Sequence, residues 1–352
     1  MPNKCILPFI RYDFDKNRPC CIITNYNHEK NYEELLNDHR NNIKSKFCTT
    51  CWSLEKNGLQ SKRQVSNNNF KKYLDVTETN VISVVLPTGN VCNLSCVTCG
   101  PTDSTGWISK AQAMKKTEFY NSHHYRIPLP YNNIPKELLK QIKWNNVEDV
   151  EFLGGETLMS KNLWKYLDLF KEDTSISLLT NGTVVLKDWQ IEKCKKFKNL
   201  HICFSIDGIE KIFEYLRQPA SWENVKNNIL FYKTVFGRDK LSFHITISNM
   251  NIFYIDYIMK ELLKILPVKC TYIMVEKPDV FATNNLTNEL GTLIEKQNPL
   301  FFKNKKIEWK GTEESMSLFF KNIKLQENVS KIYLKDYMIE YYKLIKELYL
   351  RH

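Results

Sequence analysis

The chain has 352 residues, a formal net charge of +11 and eleven cysteines. That length allows one large α/β domain, or one domain with a small appendage. No stretch has the apolar length of a membrane span or of a secretory signal. This predicts a reducing cytoplasm, where clustered thiols mark metal sites more often than disulfides. The lysines are scattered and no nucleic-acid-binding module is present, so neither a membrane nor nucleic acid is an expected partner.

Five cysteines lie in the first 63 residues, and a turn-like sequence, Asp15 to Pro19, separates the first of them from the next two. This arrangement predicts a small hairpin with a thiol at each end. Residues 32–36 have the apolar spacing of a short helix, and a C-x2-C pair follows it. Four thiolates can bind either zinc or an iron–sulfur cluster, so the spacing leaves both open. The predicted ligands are Cys5, Cys20, Cys48 and Cys51, with Cys21 as a substitute for either of the first two.

From residue 82 the chain alternates β-branched apolar runs with helical patterns, which predicts βα units and a parallel sheet. Strands are expected at 82–87, 149–153, 175–179, 201–206, 241–247 and 270–275. Helices are expected at 103–115, 160–170, 187–197, 222–235 and 253–265. The predicted α/β fold is a partial (β/α)6 TIM-like barrel, with functional residues at the carboxyl ends of its strands. The expected divisions are a cysteine-rich module with a linker at 1–80, the barrel at 81–280 and a helical region at 281–352.

Three cysteines follow the first of these predicted strands with the spacing C-x3-C-x2-C. Three thiolates do not complete a structural zinc site, which needs four ligands. They can bind three irons of a [4Fe–4S] cluster and leave the fourth iron open for chemistry. We therefore predict such a cluster at Cys92, Cys96 and Cys99, with zinc or structural thiols as the alternative.

Polar motifs follow three later strands. Gly154-Gly155-Glu156 combines glycines that let a backbone approach a ligand with a carboxylate that can accept from an ammonium group. Thr180-Asn181-Gly182 ends the next strand and is also a common turn sequence. In the strand after it, Ser205 and Asp207 place a hydroxyl near a carboxylate, which suits a ribose diol. Arg217 can bind a carboxylate, or it is a surface charge.

The cysteine loop and these motifs, within residues 82–278, resemble the radical S-adenosylmethionine (SAM) enzymes. The resemblance implies that the open iron binds the amino and carboxylate groups of SAM. It implies that Gly154, Gly155 and Glu156 contact the amino group and that Thr180 and Asn181 line the active site. It also places Ser205 and Asp207 near the ribose and makes Arg217 a candidate for the carboxylate. Many members have proline after the glutamate, where this chain has Thr157.

The resemblance also implies the chemistry. A reduced cluster cleaves SAM, and the resulting 5′-deoxyadenosyl radical takes a hydrogen atom from the substrate. An electron donor such as flavodoxin or ferredoxin is then expected. The N-terminal thiols, with Glu55, Gly58, Ser61 and Arg63, resemble the auxiliary-cluster region called SPASM or twitch, which normally follows the core. That likeness implies a second [4Fe–4S] cluster and a peptide or protein substrate. A zinc-stabilised binding protein and a radical SAM modifier of RNA or a small molecule are the alternatives.

Overall fold

The computed structural model describes residues 3–14, 17–56, 60–114, 140 and 142–349. Its centre is a parallel sheet of seven strands that curls into a half-barrel, and the strand order follows the chain order. Because all neighbours are parallel, the loops that follow the strands leave from one edge of the sheet. The strands are β1 (Arg11–Asp13), β2 (Ser83–Pro87), β3 (Asp149–Leu153), β4 (Ser175–Thr180), β5 (Leu200–Ser205), β6 (Leu241–Ile247) and β7 (Cys270–Met274).

Helices precede the sheet, connect its strands and follow its last strand. The helices before β3 are α1 (Leu7–Ile10), α2 (His28–Arg40), α3 (Thr49–Lys56), α4 (Lys62–Asn69) and α5 (Ile108–Met114). Those between β3 and β7 are α6 (Lys161–Tyr166), α7 (Asp188–Lys195), α8 (Glu210–Leu216), α9 (Trp222–Phe236) and α10 (Ile255–Ile265). The last group is α11 (Asn288–Gln297), α12 (Pro299–Phe302), α13 (Glu313–Ser330), α14 (Leu334–Tyr337) and α15 (Ile339–Tyr349).

Residue alternation gives the sheet an apolar face and a polar face. Val150, Phe152 and Leu178 are fully buried in the main hydrophobic core. Their neighbours Glu151 and Ser177 are only partly buried and lie on the opposite, inner face. Burying each large apolar side chain contributes about 1.5–3 kcal/mol. The outer face therefore stabilises the half-barrel, and the inner face can carry polar groups.

The predicted partial barrel is confirmed, but the sheet has one strand more than the apolar pattern indicates. The sequence predicts a hairpin around residues 15–19, and the structure shows a single antiparallel bridge there, between Asp13 and Arg18. Strand β1 instead pairs in parallel with β2. The Arg11 guanidinium explains this, because it lies 2.5 Å from the Glu151 carboxylate and 2.8 Å from Ser83 Oγ. A charged side chain thus attaches this strand to the sheet.

The predicted helical C-terminal region is confirmed. The N-cap of helix α13 is Thr312, whose side chain accepts from the Ser315 amide, and its C-cap is Lys331, which has a left-handed backbone conformation. Its Leu325 packs with Trp107 and Met114, next to the predicted cluster loop. None of the helices in the described part of the chain is long and apolar enough to cross a membrane.

Candidate functional site

The loop that carries the predicted cluster ligands is held from two sides. The Ser95 amide donates to the Gln218 carbonyl oxygen at 2.7 Å, which ties the loop to the segment after α8. From the other side, Trp107 Nε1 donates to the Cys96 carbonyl oxygen at 2.9 Å. The loop conformation therefore depends on contacts with distant parts of the chain. These contacts keep the three cysteines at the carboxyl edge of the sheet.

The three thiols of this loop are partly exposed. Burial nevertheless raises the pKa of Cys96 to about 12, although the charges of Arg217 and Lys110 act in the opposite direction. Burial also raises the pKa values of Cys92 and Cys99. All three are therefore protonated near neutral pH in the metal-free chain, and iron binding would release their protons.

The paired glycines after β3 allow the cluster loop to pack closely on this strand end. A Cβ at Gly154 would lie 2.5 Å from the Gly89 carbonyl oxygen, and one at Gly155 would lie 2.6 Å from the Val91 carbonyl oxygen. The Gly155 amide also donates to the Gly89 carbonyl oxygen at 2.9 Å. Since no side chain fits at such distances, the glycines have a packing role that the sequence motif does not reveal.

Glu156 is fully buried and its carboxylate accepts three hydrogen bonds within the protein. The donors are Thr180 Oγ1 at 2.8 Å, the Asn181 amide at 2.6 Å and the Leu158 amide at 3.1 Å. Burial raises the pKa of Glu156, and the hydrogen bonds oppose that shift. The carboxylate thus joins the end of β3 to the end of β4. Its contact with the amino group of SAM stays a prediction.

Replacing Glu156 with glutamine is expected to lower the free energy of unfolding by about 3 kcal/mol. An amide has one acceptor oxygen, so its N–H groups would face the amide of Asn181 or Leu158. Urea unfolding of the purified chain measures the change. The exposed Glu347→Gln variant is the control, and an unchanged free energy of unfolding for E156Q would contradict this role.

Asn181 connects the end of β4 to the cluster loop. Its Nδ2 donates to Asn93 Oδ1 at 3.1 Å and lies 3.7 Å from Cys92 Sγ. Its Oδ1 accepts from the Thr183 amide at 2.9 Å, which fixes the direction of the side-chain amide. The structure therefore brings the predicted residue Asn181 next to a predicted cluster ligand.

Asp207 and Arg217 form a buried ion pair beside the same loop. Arg217 Nε and Nη2 each lie 2.9 Å from Asp207 Oδ2. Burial tends to lower the pKa of Arg217, but the negative charges of Asp207 and Cys96 outweigh it and raise that pKa. Ser205 lies on the partly exposed inner face. The sequence does not indicate the pairing of Asp207 with Arg217, and the predicted contacts of both with SAM stay predictions.

A cavity of about 20 Å³ lies among the four N-terminal cysteines predicted as ligands, and Arg63 forms part of its wall. This volume suits about one water molecule. Cys21, the predicted substitute, is exposed and does not line the cavity. In the described part of the chain, no group of three or more His, Cys, Asp or Glu is arranged to hold a metal ion. The lining cysteines are Cys5, Cys20, Cys48 and Cys51.

Three residues that the SPASM-like pattern singles out form one hydrogen-bonded group. Arg63 Nε and Nη2 donate to the two Glu55 carboxylate oxygens at 3.0 Å and 2.6 Å, and Ser61 Oγ donates to the same carboxylate. Arg63 Nη1 also donates to the Lys4 carbonyl oxygen at 3.0 Å. This group holds the helix with the C-x2-C pair against the segment that carries Cys5. Gly58 of the pattern lies outside the described residues.

Two candidates lie outside every sequence motif. His39 is fully buried, with Nε2 3.7 Å from Cys48 Sγ, and burial lowers its pKa to about 4. Lys110 is buried beside the cluster loop, with Nζ 4.4 Å from the centre of the Trp107 ring. Spacing cannot reveal either residue, because helices α2 and α5 carry them to thiols elsewhere in the chain.

The Radical SAM superfamily model matches residues 86–262, which include the cluster loop and every motif up to Arg217. The chain belongs to the radical SAM superfamily. It is therefore an enzyme of a superfamily that uses a [4Fe–4S] cluster and SAM. Three thiols on one loop, with the buried amine of Lys110 beside them, fit an anionic cluster at this loop.

Solved structures with similarity to this radical SAM enzyme include "Native anSMEcpe with bound AdoMet", at 14% identity and a TM-score of 0.42. Another is Streptococcus suis SuiB bound to S-adenosylmethionine, at 14% identity and a TM-score of 0.41. The alignments cover 62% and 81% of this chain. The chain spans 60% of the anSMEcpe chain and 62% of the SuiB chain. No curated protein sequence matches it. Family membership rests on the superfamily match alone.

Proposed function

We propose that Cys92, Cys96 and Cys99 hold the [4Fe–4S] cluster of this enzyme and that SAM binds beside it, at the carboxyl ends of β3 to β6. The observation that supports this most is that separate strand ends meet on one loop. The segment after β3 packs on its backbone, and Asn181 after β4 bonds to its Asn93.

In this proposal the chain binds and orients SAM. The backbone carbonyls at Gly154 and Gly155 and the Glu156 carboxylate would accept from its amino group, because Glu156 Oε2 accepts only the Asn181 amide among the described residues and keeps a lone pair. Ser205 and Asp207 would bind the ribose, and Arg217 the SAM carboxylate. When bound and reduced, the cluster supplies the electron that cleaves SAM into methionine and the 5′-deoxyadenosyl radical. A flavodoxin or ferredoxin is the proposed electron donor.

We also propose a second [4Fe–4S] cluster, bound by Cys5, Cys20, Cys48 and Cys51 in a SPASM- or twitch-like module at residues 1–80. The barrel at 81–280 and the helical region at 281–352 complete the proposed divisions. The arrangement of all four cysteines around one cavity supports this, and the paired Glu55 and Arg63 hold together the segments that carry them. A structural zinc is the alternative.

The proposed substrate is a peptide or protein, because SPASM and twitch enzymes commonly modify peptides. The inner face of the half-barrel offers partly exposed polar side chains for it, such as Glu151, His244 and Thr246. The net charge of +11 favours RNA as the second candidate.

Anaerobically reconstituted protein is expected to form 5′-deoxyadenosine and methionine from SAM when dithionite is added, and liquid chromatography measures both products. Synthetic peptides of mixed sequence and total tRNA are then added in separate reactions. Faster 5′-deoxyadenosine formation with the peptides alone is the expected result. Stimulation by tRNA instead would indicate that the substrate is RNA and not a peptide. No product under any condition would contradict the proposed reaction.

A further inference from the structure

Lys110 is a buried cation without a carboxylate partner among the described residues. It is 6% exposed, and its Nζ donates to two neutral acceptors, Gln326 Oε1 at 3.0 Å and Gln218 Oε1 at 3.4 Å. The Trp107 ring covers it at 4.4 Å from the ring centre. An unpaired buried ammonium costs free energy unless negative charge lies nearby. Burial lowers the pKa of Lys110 to about 7 in the metal-free chain, so an anionic group bound at the loop would keep its side chain charged.

The groups that hold Lys110 also hold the cluster loop. Gln326 Nε2 donates to the Val97 carbonyl oxygen at 3.1 Å, and the Gln218 carbonyl oxygen accepts from the Ser95 amide. Trp107 donates to the Cys96 carbonyl oxygen. The ammonium thus lies behind the loop, on the side covered by α5 and α13. The charge of Lys110 also acts on the Cys96 thiol, which is a proposed cluster ligand.

Arg217, the other buried side chain with a positive charge at the loop, differs from Lys110 because it has a carboxylate partner. Arg217 is neutralised by Asp207 at 2.9 Å, so its net effect on the cluster is small. The charge of Lys110 is not neutralised in this way. Coulomb attraction inside a protein is much stronger than in water, and cluster potentials respond to nearby charge. An added electron on the cluster is therefore stabilised mainly from the Lys110 side.

We propose that Lys110 is the counter-charge of the SAM cluster and makes its one-electron reduction easier. This inference rests on the proposed assignment of Cys92, Cys96 and Cys99. The electron comes from the external reductant, no covalent bond forms or breaks, and the cluster with its thiolates gains one negative charge. Lys110 donates to Gln326, which lies on α13. The C-terminal region therefore also influences the potential of the cluster. In this proposal Lys110 is a positioning residue that acts on the cluster, and its role needs no contact with SAM.

The test is a potentiometric titration of the full-length, anaerobically reconstituted chain with dithionite. It follows the electron paramagnetic resonance signal that changes when SAM is added, which separates this cluster from any N-terminal one. Lys110→Met is expected to shift the midpoint potential of that signal to a more negative value. Lys110→Arg keeps the charge and is expected to match the wild type. Lys324→Met is the matched control, because it also removes one lysine charge, from an exposed position on α13. Its midpoint potential should match that of the wild type.

A Lys110→Met midpoint equal to that of the wild type would overturn the inference. Gln326→Glu provides a second route to the same result, because it places a carboxylate against the ammonium. It should also shift the midpoint to a more negative value. If Lys110→Met loses its iron, the Gln326→Glu midpoint decides, and an unchanged value there overturns the inference. A wild-type chain without any SAM-responsive signal would refute the cluster assignment itself.

Discussion

Replacing Cys92, Cys96 and Cys99 together with alanine is expected to abolish 5′-deoxyadenosine formation and to remove about four irons per chain. The reason is that the loop offers only these three thiols, and they are partly exposed at the carboxyl edge of the sheet. Without them, no ligand in the loop can replace a thiolate. Product formation by liquid chromatography and iron content are measured on the same reconstituted sample.

Cys270→Ala is the matched control for this variant. Cys270 is also partly exposed, lies on β7 opposite Phe243 of β6, and its thiol donates to the Thr271 carbonyl oxygen. It should keep wild-type product formation and iron content. A triple variant that still forms 5′-deoxyadenosine at the wild-type rate would show that the cluster is bound elsewhere.

The sheet and the cluster loop could be predicted from the sequence because their signals are local. The β-branched runs of β2 to β7 alternate with helical patterns, and the strand bounds agree with the predicted ones to within one or two residues. The C-x3-C-x2-C spacing and the motifs at the strand ends are likewise contained in short segments. Parallel pairing then places them at one edge without further information.

The remaining parts depend on contacts between residues far apart in the chain. Strand β1 joins the sheet through Arg11, which binds acidic residues about 140 positions away. The pairing of Asp207 with Arg217 and the burial of Lys110 under α13 are also unmarked by any spacing. From sequence alone a charged side chain is expected at the surface, because charged residues are rarely buried without a partner.

Glu156 shows how a correctly identified motif can have a second role. The resemblance gives this residue a contact with the amino group of SAM. The structure uses its carboxylate to join two strand ends, through Thr180 and Asn181. The same three residues therefore belong to one structural unit as well as to a proposed binding site. A variant of any of them will change stability and SAM affinity together, so both must be measured.

The triple alanine variant is expected to keep about four irons per chain at its N-terminal thiols when reconstituted with iron and sulfide. The expectation rests on the arrangement of Cys5, Cys20, Cys48 and Cys51 around one cavity. Adding Cys48→Ala and Cys51→Ala to the triple variant should remove these irons. Adding Cys21→Ala instead should not, because Cys21 does not line the cavity.

Zinc is the competing occupant, since four thiolates bind either metal. Metal analysis of the triple variant separates the two, provided that iron, zinc and sulfide are measured together. Iron with a similar amount of sulfide supports an auxiliary cluster that can exchange an electron with a substrate radical. Zinc without iron would identify the four N-terminal cysteines, with the neighbouring Glu55–Arg63 pair, as a structural zinc site. The enzyme would then have one cluster, and its substrate radical would have to return its electron by another route.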